Sequence, residues 1–600
     1  MRPIILGAMS LLIACSSCDN LLDLEPKSQI SQVDYFKDET DLQMFSNTFY
    51  NNLLDKEPYD DQSDLYVQQN LSDEMLGGTK RTVPASGGGW SWGDLRKMNT
   101  LLEYADQCNS VSAATKYKAV TRFFRAYFYF EKIKRFGDVP WYDTELGSDD
   151  ESLYKARDSR ELVMTHMIED IDYAIENLPS KTEETSNPYR VTKGAALALK
   201  AQFCLYEGTY RKYQGVQLDG HDYNYYLQLC AEAAQQLMDR NEYKLYTTGN
   251  PNKDYLTLFS EEDANTDEYI FAIKFDYGLG IYHNATAHTL VPTQGRPGLT
   301  RKMVNMYLMK DGTAFTDQTG WQEMTFVEET KNRDPRLAQS IRTPGYTRIN
   351  STKVLAPDLS VSVTGYQPIK FVQDPSASGG NVDRNDRSTC DLPVYRYAEV
   401  LLNYAEAKAE LGTLTQSDLD KSVNLIRQRA GMPSLNMNTA NANPDRYLSS
   451  AETGYTNVSG NNKGVILEIR RERAVELSQE GFRFDDLVRW KAGTCFDQSI
   501  YGMYFPGPGS YDLSGNGKVD IILYTSDQAK PSADSGVLVY KIGTDILLTE
   551  SNKGYVFYHK NITRTTFNEG RDYLYPIPTN ERSLNPNLTQ NPGWDDGLDF

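Results

Sequence analysis

The sequence predicts a mainly α-helical protein with a core of paired helices, long irregular loop insertions and only minor β-structure. Apolar residues recur at three- and four-residue steps through residues 116–136, which is the spacing of one helix face. Gly137, Asp138 and Pro140 mark the end of that helix. The same periodicity predicts helices at residues 159–178, 192–206, 225–238, 397–411, 417–429 and 465–477.

Two stretches lack this periodicity and are predicted as loops. Residues 278–301 are rich in Gly, Pro, Thr and His, and residues 340–390 are long and polar. Loops of that length in a compact protein are usually functional or mobile. Residues 269–275, by contrast, are typical of a strand. Helices joined by short turns indicate stacked pairs, as in tetratricopeptide arrays.

The first residues predict export and a lipid anchor. Arg2 precedes a mostly apolar stretch at residues 4–14, which is shorter than the about 20 residues of a membrane span. That length suits the central part of a signal peptide. Cys15 follows Leu12-Ile13-Ala14, a lipobox pattern, and Cys18 is a rival acceptor of the lipid. The predicted signal peptide therefore covers residues 1–17, or 1–14.

Beyond the signal peptide the sequence divides into three regions of different composition. Residues 18–37 form a polar tether, residues 38–260 a helical N-terminal domain, and residues 261–600 a C-terminal domain with loop insertions. The cysteines beyond the lipobox are odd in number and widely spaced, so they make no disulfide framework. We expect them to be buried thiols: Cys108, Cys204, Cys230, Cys390 and Cys495.

Composition and missing motifs argue against several classes of function. A formal charge of −20 argues against a nucleic-acid partner, because phosphate binding needs clustered Lys and Arg. The 41 Tyr and 6 Trp supply flat faces that suit sugar or peptide recognition. The sequence contains no HExxH or Walker motif, and its five His are dispersed. We therefore expect no enzymatic activity and no resident cofactor.

Several short motifs follow one another in a fixed order along the chain. They lie at residues 125–129, 136–140, 190–196, 311–312, 333–336, 396–407, 472–490, 575–578 and 590–593. Within them, Arg473, Glu476, Glu480 and Arg483 share a face if one helix continues through all four. Their spacing predicts partly buried ion pairs that tie this helix to a neighbour such as residues 397–411.

With these motifs the chain resembles the SusD/RagB family over nearly its whole length. It departs from the family pattern at Trp594, where Tyr is commoner, and at Ser478-Gln479, where an apolar pair is commoner. The resemblance implies a lipoprotein on the outer face of the outer membrane. It also implies that the protein captures a glycan, or in some members a peptide, and passes it to a SusC-like TonB-dependent transporter. A scaffold that binds only the transporter is an alternative.

In the family, ligands bind to loops and aromatic residues early in the chain, and here the best match is Gly87–Gly93. Trp90 and Trp92 alternate in this segment, so an extended backbone would present two adjacent indole faces to a sugar. Asp73 and Arg81 lie just upstream and would supply hydrogen bonds to hydroxyl groups. The alternative is that both tryptophans anchor the loop to the helix that starts near Leu95.

Two weaker sites are also predicted. Tyr282, with Tyr277 and His283 beside it, is a second candidate for ligand contact in the middle loop. Asp512, Ser514, Asn516 and Asp520 alternate like the first ligands of a calcium loop. Leu523 occupies the twelfth position, where a bidentate Glu would be needed, so a polar turn is the competing interpretation.

Overall fold

The computed structural model describes residues 35–54 and 62–600, which are mainly helical. The helices of the first half are α1 (Glu39–Leu53), α2 (Asp73–Leu76), α3 (Gly93–Tyr104), α4 (Val111–Phe136), α5 (Arg160–Asn177), α6 (Lys193–Gln214), α7 (Tyr223–Asp239), α8 (Asp254–Ser260) and α9 (Ala285–Leu290). Those that follow are α10 (Arg301–Met306), α11 (Phe326–Glu329), α12 (Leu337–Ser340), α13 (Ala377–Gly380), α14 (Tyr397–Glu410), α15 (Gln416–Asp420), α16 (Val423–Arg429), α17 (Met437–Ala442), α18 (Arg446–Ser449), α19 (Lys463–Glu476), α20 (Arg483–Arg489) and α21 (Thr579–Leu584).

The strands are short and form small sheets. They are β1 (Tyr66–Val67), β2 (Tyr269–Ile273), β3 (Gly298–Leu299), β4 (Leu392–Arg396), β5 (Tyr504–Phe505), β6 (Gly509–Tyr511), β7 (Ile521–Tyr524), β8 (Leu538–Lys541) and β9 (Gly554–Tyr555). β1 pairs with β3, β2 with β4 and β5 with β9, while β6, β7 and β8 make one three-stranded sheet. The predicted strand at residues 269–275 is confirmed as β2.

Helix α4 shows how local sequence sets the boundaries. Its N-cap, Ser110, accepts a hydrogen bond from the backbone N–H of Ala113, so the helix begins five residues before the predicted position. It ends at Phe136 as predicted, because Gly137 takes a positive φ of 73°. A long helix with one buried face then needs neighbours, and α4 packs against α1, α3 and α5.

Packing between pairs of helices confirms the predicted mainly α-helical fold class. α4 packs on α5, α6 on α7, α7 on α14, and α14 on α19. The close approach expected of the Ala-rich helix α6 is present, since a Cβ at Gly208 would lie 2.7 Å from Cγ of Leu227 on α7. One hydrophobic cluster contains residues from Phe36 to Leu588, so the core includes residues on both sides of position 260. The division into two domains at residue 260 stays a prediction.

No single helix runs through both Arg473 and Arg483, so the condition for the four charged residues to share one face is not met. α19 ends at Glu476 and α20 begins at Arg483, because Gln479 and Gly481 take positive φ angles of 63° and 82°. The expected ion pairs still form: Arg473 pairs with Asp486 of α20 at 2.7 Å, and Glu476 pairs with Arg396, directly before α14, at 2.8 Å. These side chains are fully buried, not partly buried as the sequence suggested.

Candidate functional site

The Gly-rich loop at residues 87–92 is held against helix α4 by two basic side chains. Lys132 donates from Nζ to the carbonyl oxygen of Gly89 at 2.5 Å, and Arg135 donates from Nε to that of Gly88 at 2.7 Å. Gly89 has a φ of 87°, and a Cβ there would lie 2.7 Å from Nε of Arg135. Only glycine therefore fits this conformation at this distance from the helix.

The two tryptophans are neighbours but do not form a flat platform. Their ring centres are 5.3 Å apart and the rings meet edge to face at 78°. Trp90 is only 7% exposed and packs against Phe136, whereas Trp92 is partly buried and contacts Phe128 and Tyr142. Trp92 directly precedes α3, so part of each ring anchors the loop to the helices, as the competing interpretation predicted.

Both tryptophans line a surface cavity of about 430 Å³, which we call the tryptophan cavity. Its rim includes Tyr154, 49% exposed, and Leu584 of helix α21, 70% exposed. Exposed apolar groups beside a concave site are typical of a ligand-binding surface. The cavity thus offers mainly apolar and aromatic contacts.

The floor of this cavity is fixed by a buried polar network. Arg125, from the motif at residues 125–129, donates to both carboxylate oxygens of Asp170 at 2.6 and 2.8 Å. It also donates to the amide oxygen of Asn99, whose amide nitrogen donates to the carbonyls of Tyr142 and Thr144. This network joins helices α3, α4 and α5, so the aromatic walls are held in place before a ligand arrives.

Asp73 and Arg81 do not line the tryptophan cavity. Arg81 is buried, with its guanidinium group 3.3 Å from the carboxylate of Asp572 and stacked near the rings of Tyr575 and Trp594. Asp73 is exposed in the first turn of α2. The position of Arg81 favours a structural role, and ligand contact by either residue stays a prediction.

The middle-loop candidate lies elsewhere. Tyr282 is exposed together with Tyr277, Leu279 and Ile281, and does not line the tryptophan cavity. His283 is buried, and its Nε2 lies 2.9 Å from the carbonyl oxygen of Cys390. Burial lowers the pKa of His283 to about 4, so the ring is neutral at physiological pH.

A second cavity of about 500 Å³ lies on the other side of the Gly-rich loop; we call it the basic cleft. Gly89, Lys132 and Arg135 line one wall. Tyr395 of β4, Gln479 and Tyr575 also line the cleft, together with the charged residues Glu131, Lys134, Glu480 and Asp485. The sequence did not point to this cleft, because its residues come from segments hundreds of positions apart. The one available signal was Gln479, which departs from the family pattern.

The predicted calcium loop connects β6 to β7. The carboxylate of Asp512 accepts backbone hydrogen bonds from Gly515, Asn516 and Gly517, and that of Asp520 accepts them from Leu513 and Ser514. Both carboxylates thus stabilise the turn itself, as the competing interpretation expects. No group of three or more acidic, His or Cys side chains suited to a metal occurs in the described part of the chain, and calcium binding stays a prediction.

The predicted lipid acceptors, Cys15 and Cys18, lie outside the described residues, as does most of the tether. Within residues 35–54 and 62–600, no helix has both the length and the apolar character needed to cross a membrane. The five remaining cysteines are buried and unpaired, as expected.

Family models and sequence relatives both indicate the family that the sequence motifs resemble. A family model described as "SusD family" matches residues 267–594, and one described as "Starch-binding associating with outer membrane" matches residues 90–205. The chain is 24% identical over 529 residues to SusD-like protein P38 of Formosa agariphila, covering 79% of this chain and 88% of that protein. It is 25% identical over 402 residues to SusD-like protein P2 of the same organism, covering 65% and 67%.

Solved structures share the fold. A SusD-like carbohydrate binding protein from Bacteroides fragilis superposes with a TM-score of 0.66 at 20% identity, covering 92% of this chain and all of that one. A SusD homolog from Bacteroides thetaiotaomicron gives 0.56 at 19% identity, covering 95% and 99%. Since the first family model alone spans more than half of the sequence, the chain belongs to the SusD family.

Proposed function

We propose that this protein captures oligosaccharides outside the cell and delivers them to a SusC-like TonB-dependent transporter in the outer membrane, without catalysing a reaction. A lipid on Cys15 or Cys18 would anchor it there. Membership of a family of binding proteins supports the general role. The description of the second family model, which names starch binding and the outer membrane, supports the ligand class and the location.

The observation that carries this proposal is the tryptophan cavity. Its volume of about 430 Å³ falls within the about 300–1,000 Å³ typical of small-molecule sites. Sugar C–H groups stack on aromatic faces, and Trp92, Tyr142 and Tyr154 bring such faces to one concave surface. The buried network around Arg125 keeps that surface rigid, so a ligand would pay little for ordering it.

A peptide ligand is the second candidate. Leu153 and Leu584 are exposed at the same rim, and apolar side chains of a peptide would pack on them as well as a sugar does on tyrosine. The sequence resemblance admits this alternative too. A scaffold role would require neither ligand, only a stable complex with the transporter.

Binding of the purified protein to a glycan array and to a peptide library would separate these possibilities. We expect oligosaccharides to bind, with affinity reduced about tenfold or more in Tyr154→Ala. Stacking on an aromatic side chain contributes on the order of 1–3 kcal/mol for a nucleobase, and we expect a comparable gain for a sugar ring. Tyr154 is half exposed, so the melting temperature should not change. Tyr282→Ala, at an exposed tyrosine that lines neither cavity, tests the middle-loop candidate in the same assay, and we expect its affinity to match that of the wild type.

Capture of peptides alone would move the assignment to the second candidate. Loss of binding in Tyr282→Ala, with Tyr154→Ala unchanged, would place the site in the middle loop. Association with the transporter would be tested by co-purification from membranes of cells that express both proteins. A protein that binds no small ligand but still co-purifies would support the scaffold role.

A further inference from the structure

The basic cleft contains two cations that lack an acidic partner. Lys132 is 8% exposed, and its Nζ donates only to the carbonyl of Gly89. Arg135, one helical turn later, donates to the carbonyl of Gly88 and lies 3.8 Å above the ring of Tyr575. Among the residues that the structure describes, no carboxylate lies within ion-pair distance of either side chain. A buried cation without a counter-ion is costly, so its retention calls for a reason.

The carboxylates that line the same cleft are already matched. Lys134 lies 2.8 Å from Glu131 and 2.7 Å from Asp485. Glu480 is bound at 2.6 Å by Lys370 and also at 2.6 Å by Arg396. The lining therefore holds as many carboxylates as cations, and Lys132 and Arg135 are the two cations in it that make no ion pair with a described residue.

Two neutral side chains add unused hydrogen-bond donors to the same lining. Nε2 of Gln479 and Oη of Tyr395 are buried and have no hydrogen-bond partner within the described structure. Gln479 is 5% exposed and sits at a positive φ of 63°, a conformation that glutamine seldom adopts. Buried polar groups are nearly always paired, so two unpaired groups in one cavity point to a missing acceptor.

We propose that the basic cleft binds an anionic group of an oligosaccharide, a carboxylate or a sulfate ester, through Lys132, Arg135, Gln479 and Tyr395. Such groups are acceptors only, and they match a set of donors that carries two positive charges. This inference rests on the proposed function, and it narrows the ligand class to acidic glycans. The Gly-rich loop separates the cleft from the tryptophan cavity, so Gly89 faces one subsite and Trp90 the other.

The aromatic lining favours a sugar over an acidic peptide. Tyr395, Phe482 and Tyr575 line the same cleft as the two cations and would contact the faces of a ring that carries the anion. Burial, followed by the charge of Arg135, lowers the pKa of Lys132 to about 8. A bound anion would raise that pKa, because a nearby negative charge favours the protonated form.

The test is a glycan array that carries neutral, uronate and sulfated oligosaccharides, followed by calorimetry on the best ligands. We expect anionic glycans to bind more tightly than their esterified or desulfated counterparts. Lys132→Gln, which keeps a donor for the carbonyl of Gly89, should lower that affinity about tenfold or more. Lys116→Gln is the control, because it removes the same charge from an exposed position on α4. Equal affinity for charged and neutral forms would overturn the inference and leave the proposed function standing.

A second variant distinguishes a loss of binding from a loss of folding. Gln479→Glu has nearly the same shape and places a carboxylate among the unused donors. We expect its melting temperature to be at least that of the wild type and its affinity for anionic glycans to be reduced about tenfold or more. A raised affinity would contradict the proposal.

Crystals soaked in sodium selenate would test the anion site without any sugar present. Selenate within hydrogen-bond distance of Lys132 and Arg135 would support the anion site even if the protein bound no glycan. The absence of glycan binding would overturn only the proposed function. Binding of acidic peptides in place of glycans would overturn the assignment to sugars. A cleft without selenate, in crystals that bind it elsewhere, would overturn the anion site.

Discussion

Arg396, the residue before helix α14, donates a hydrogen bond of 2.8 Å to Glu476, the last residue of helix α19. The same carboxylate accepts hydrogen bonds from Arg429 at 2.5 Å and from Arg336 at 3.0 Å. Burial alone would raise the pKa of Glu476, but the guanidinium groups of Arg429, Arg396 and Arg336 hold it below its usual value. One carboxylate therefore joins segments that are far apart in the sequence.

Replacing Glu476 by Gln should destabilise the protein strongly. The change removes the one charge that three buried guanidinium groups share, and breaking a buried ion pair costs about 3–5 kcal/mol. The measurement is the midpoint of urea unfolding together with the melting temperature. Glu323→Gln is the control, since Glu323 pairs with Lys553 at the surface and should change neither value measurably. A wild-type midpoint in Glu476→Gln would show that the network adds no net stability.

Asp64 should make stability depend on pH in the acid range. Burial opposes ionisation, but Arg483 and Lys302 lower the pKa of Asp64 from 3.8 to about 2. A depressed folded-state pKa means that the stabilisation, about 2 kcal/mol, is fully present above pH 4 and is lost as the pH falls towards 2. Urea unfolding of wild type and Asp64→Asn should therefore show a gap that shrinks between pH 4 and pH 2. A constant gap would contradict this assignment.

Periodic patterns made the fold largely predictable from sequence, while the site was only partly predictable. Helices α4, α5 and α7 lie close to their predicted positions, because capping residues and apolar stripes are local signals. The helix predicted at residues 465–477 ends within one residue of Glu476, whereas the positive φ at Gln479 had no signal in the sequence, because it is set by tertiary packing. Trp90 was recognised as a candidate, but its depth of burial depends on Phe136 of a different segment.

The basic cleft shows a different limit of sequence reasoning. Lys132 and Arg135 lie on a helix that carries several other basic residues, and nothing in their spacing distinguishes them from Lys116 or Lys118. What sets them apart is that no carboxylate of the described residues lies within ion-pair distance of either side chain, whereas Lys118 pairs with Asp106. Charge pairing across distant segments is a property of the fold, so sequence alone could not identify this subsite.

Gly89→Ala should weaken binding in the cleft more than Gly87→Ala. Both glycines have positive φ angles, 87° and 76°, so either alanine should cost roughly 1–2 kcal/mol in backbone strain. Only at Gly89 would the new Cβ meet the side chain of Arg135, whereas at Gly87 nothing lies within 4 Å. We expect similar small losses of melting temperature, with reduced affinity for anionic glycans in Gly89→Ala alone. Equal affinities in the two variants would show that the position of Arg135 does not matter for binding.

Anion binding should weaken as the pH rises through the pKa of Lys132. Burial and then Arg135 lower that pKa from 10.5 to about 8, and Glu131 and Asp94 only partly oppose the shift. In the cleft, Lys134 and Asp485 pair with each other, and Glu480 is matched by Lys370 and Arg396. Below pH 8 the free protein already carries the charge that an anion needs. Above it, binding must be accompanied by proton uptake, so affinity should fall by up to about tenfold per pH unit.

The stability of the free protein should change with pH in the opposite direction to the affinity for anions. Because the folded-state pKa of Lys132 is below the unfolded value, the unfolded chain binds more protons between pH 8 and 10.5, and this group makes the protein more stable as the pH rises there. Calorimetry at pH 7, 8.5 and 9.5, in buffers of different ionisation enthalpy, would measure both the affinity and the protons taken up. Lys132→Gln should show neither the pH dependence nor the uptake. If the variant kept both, another group would have to be the one that is protonated on binding.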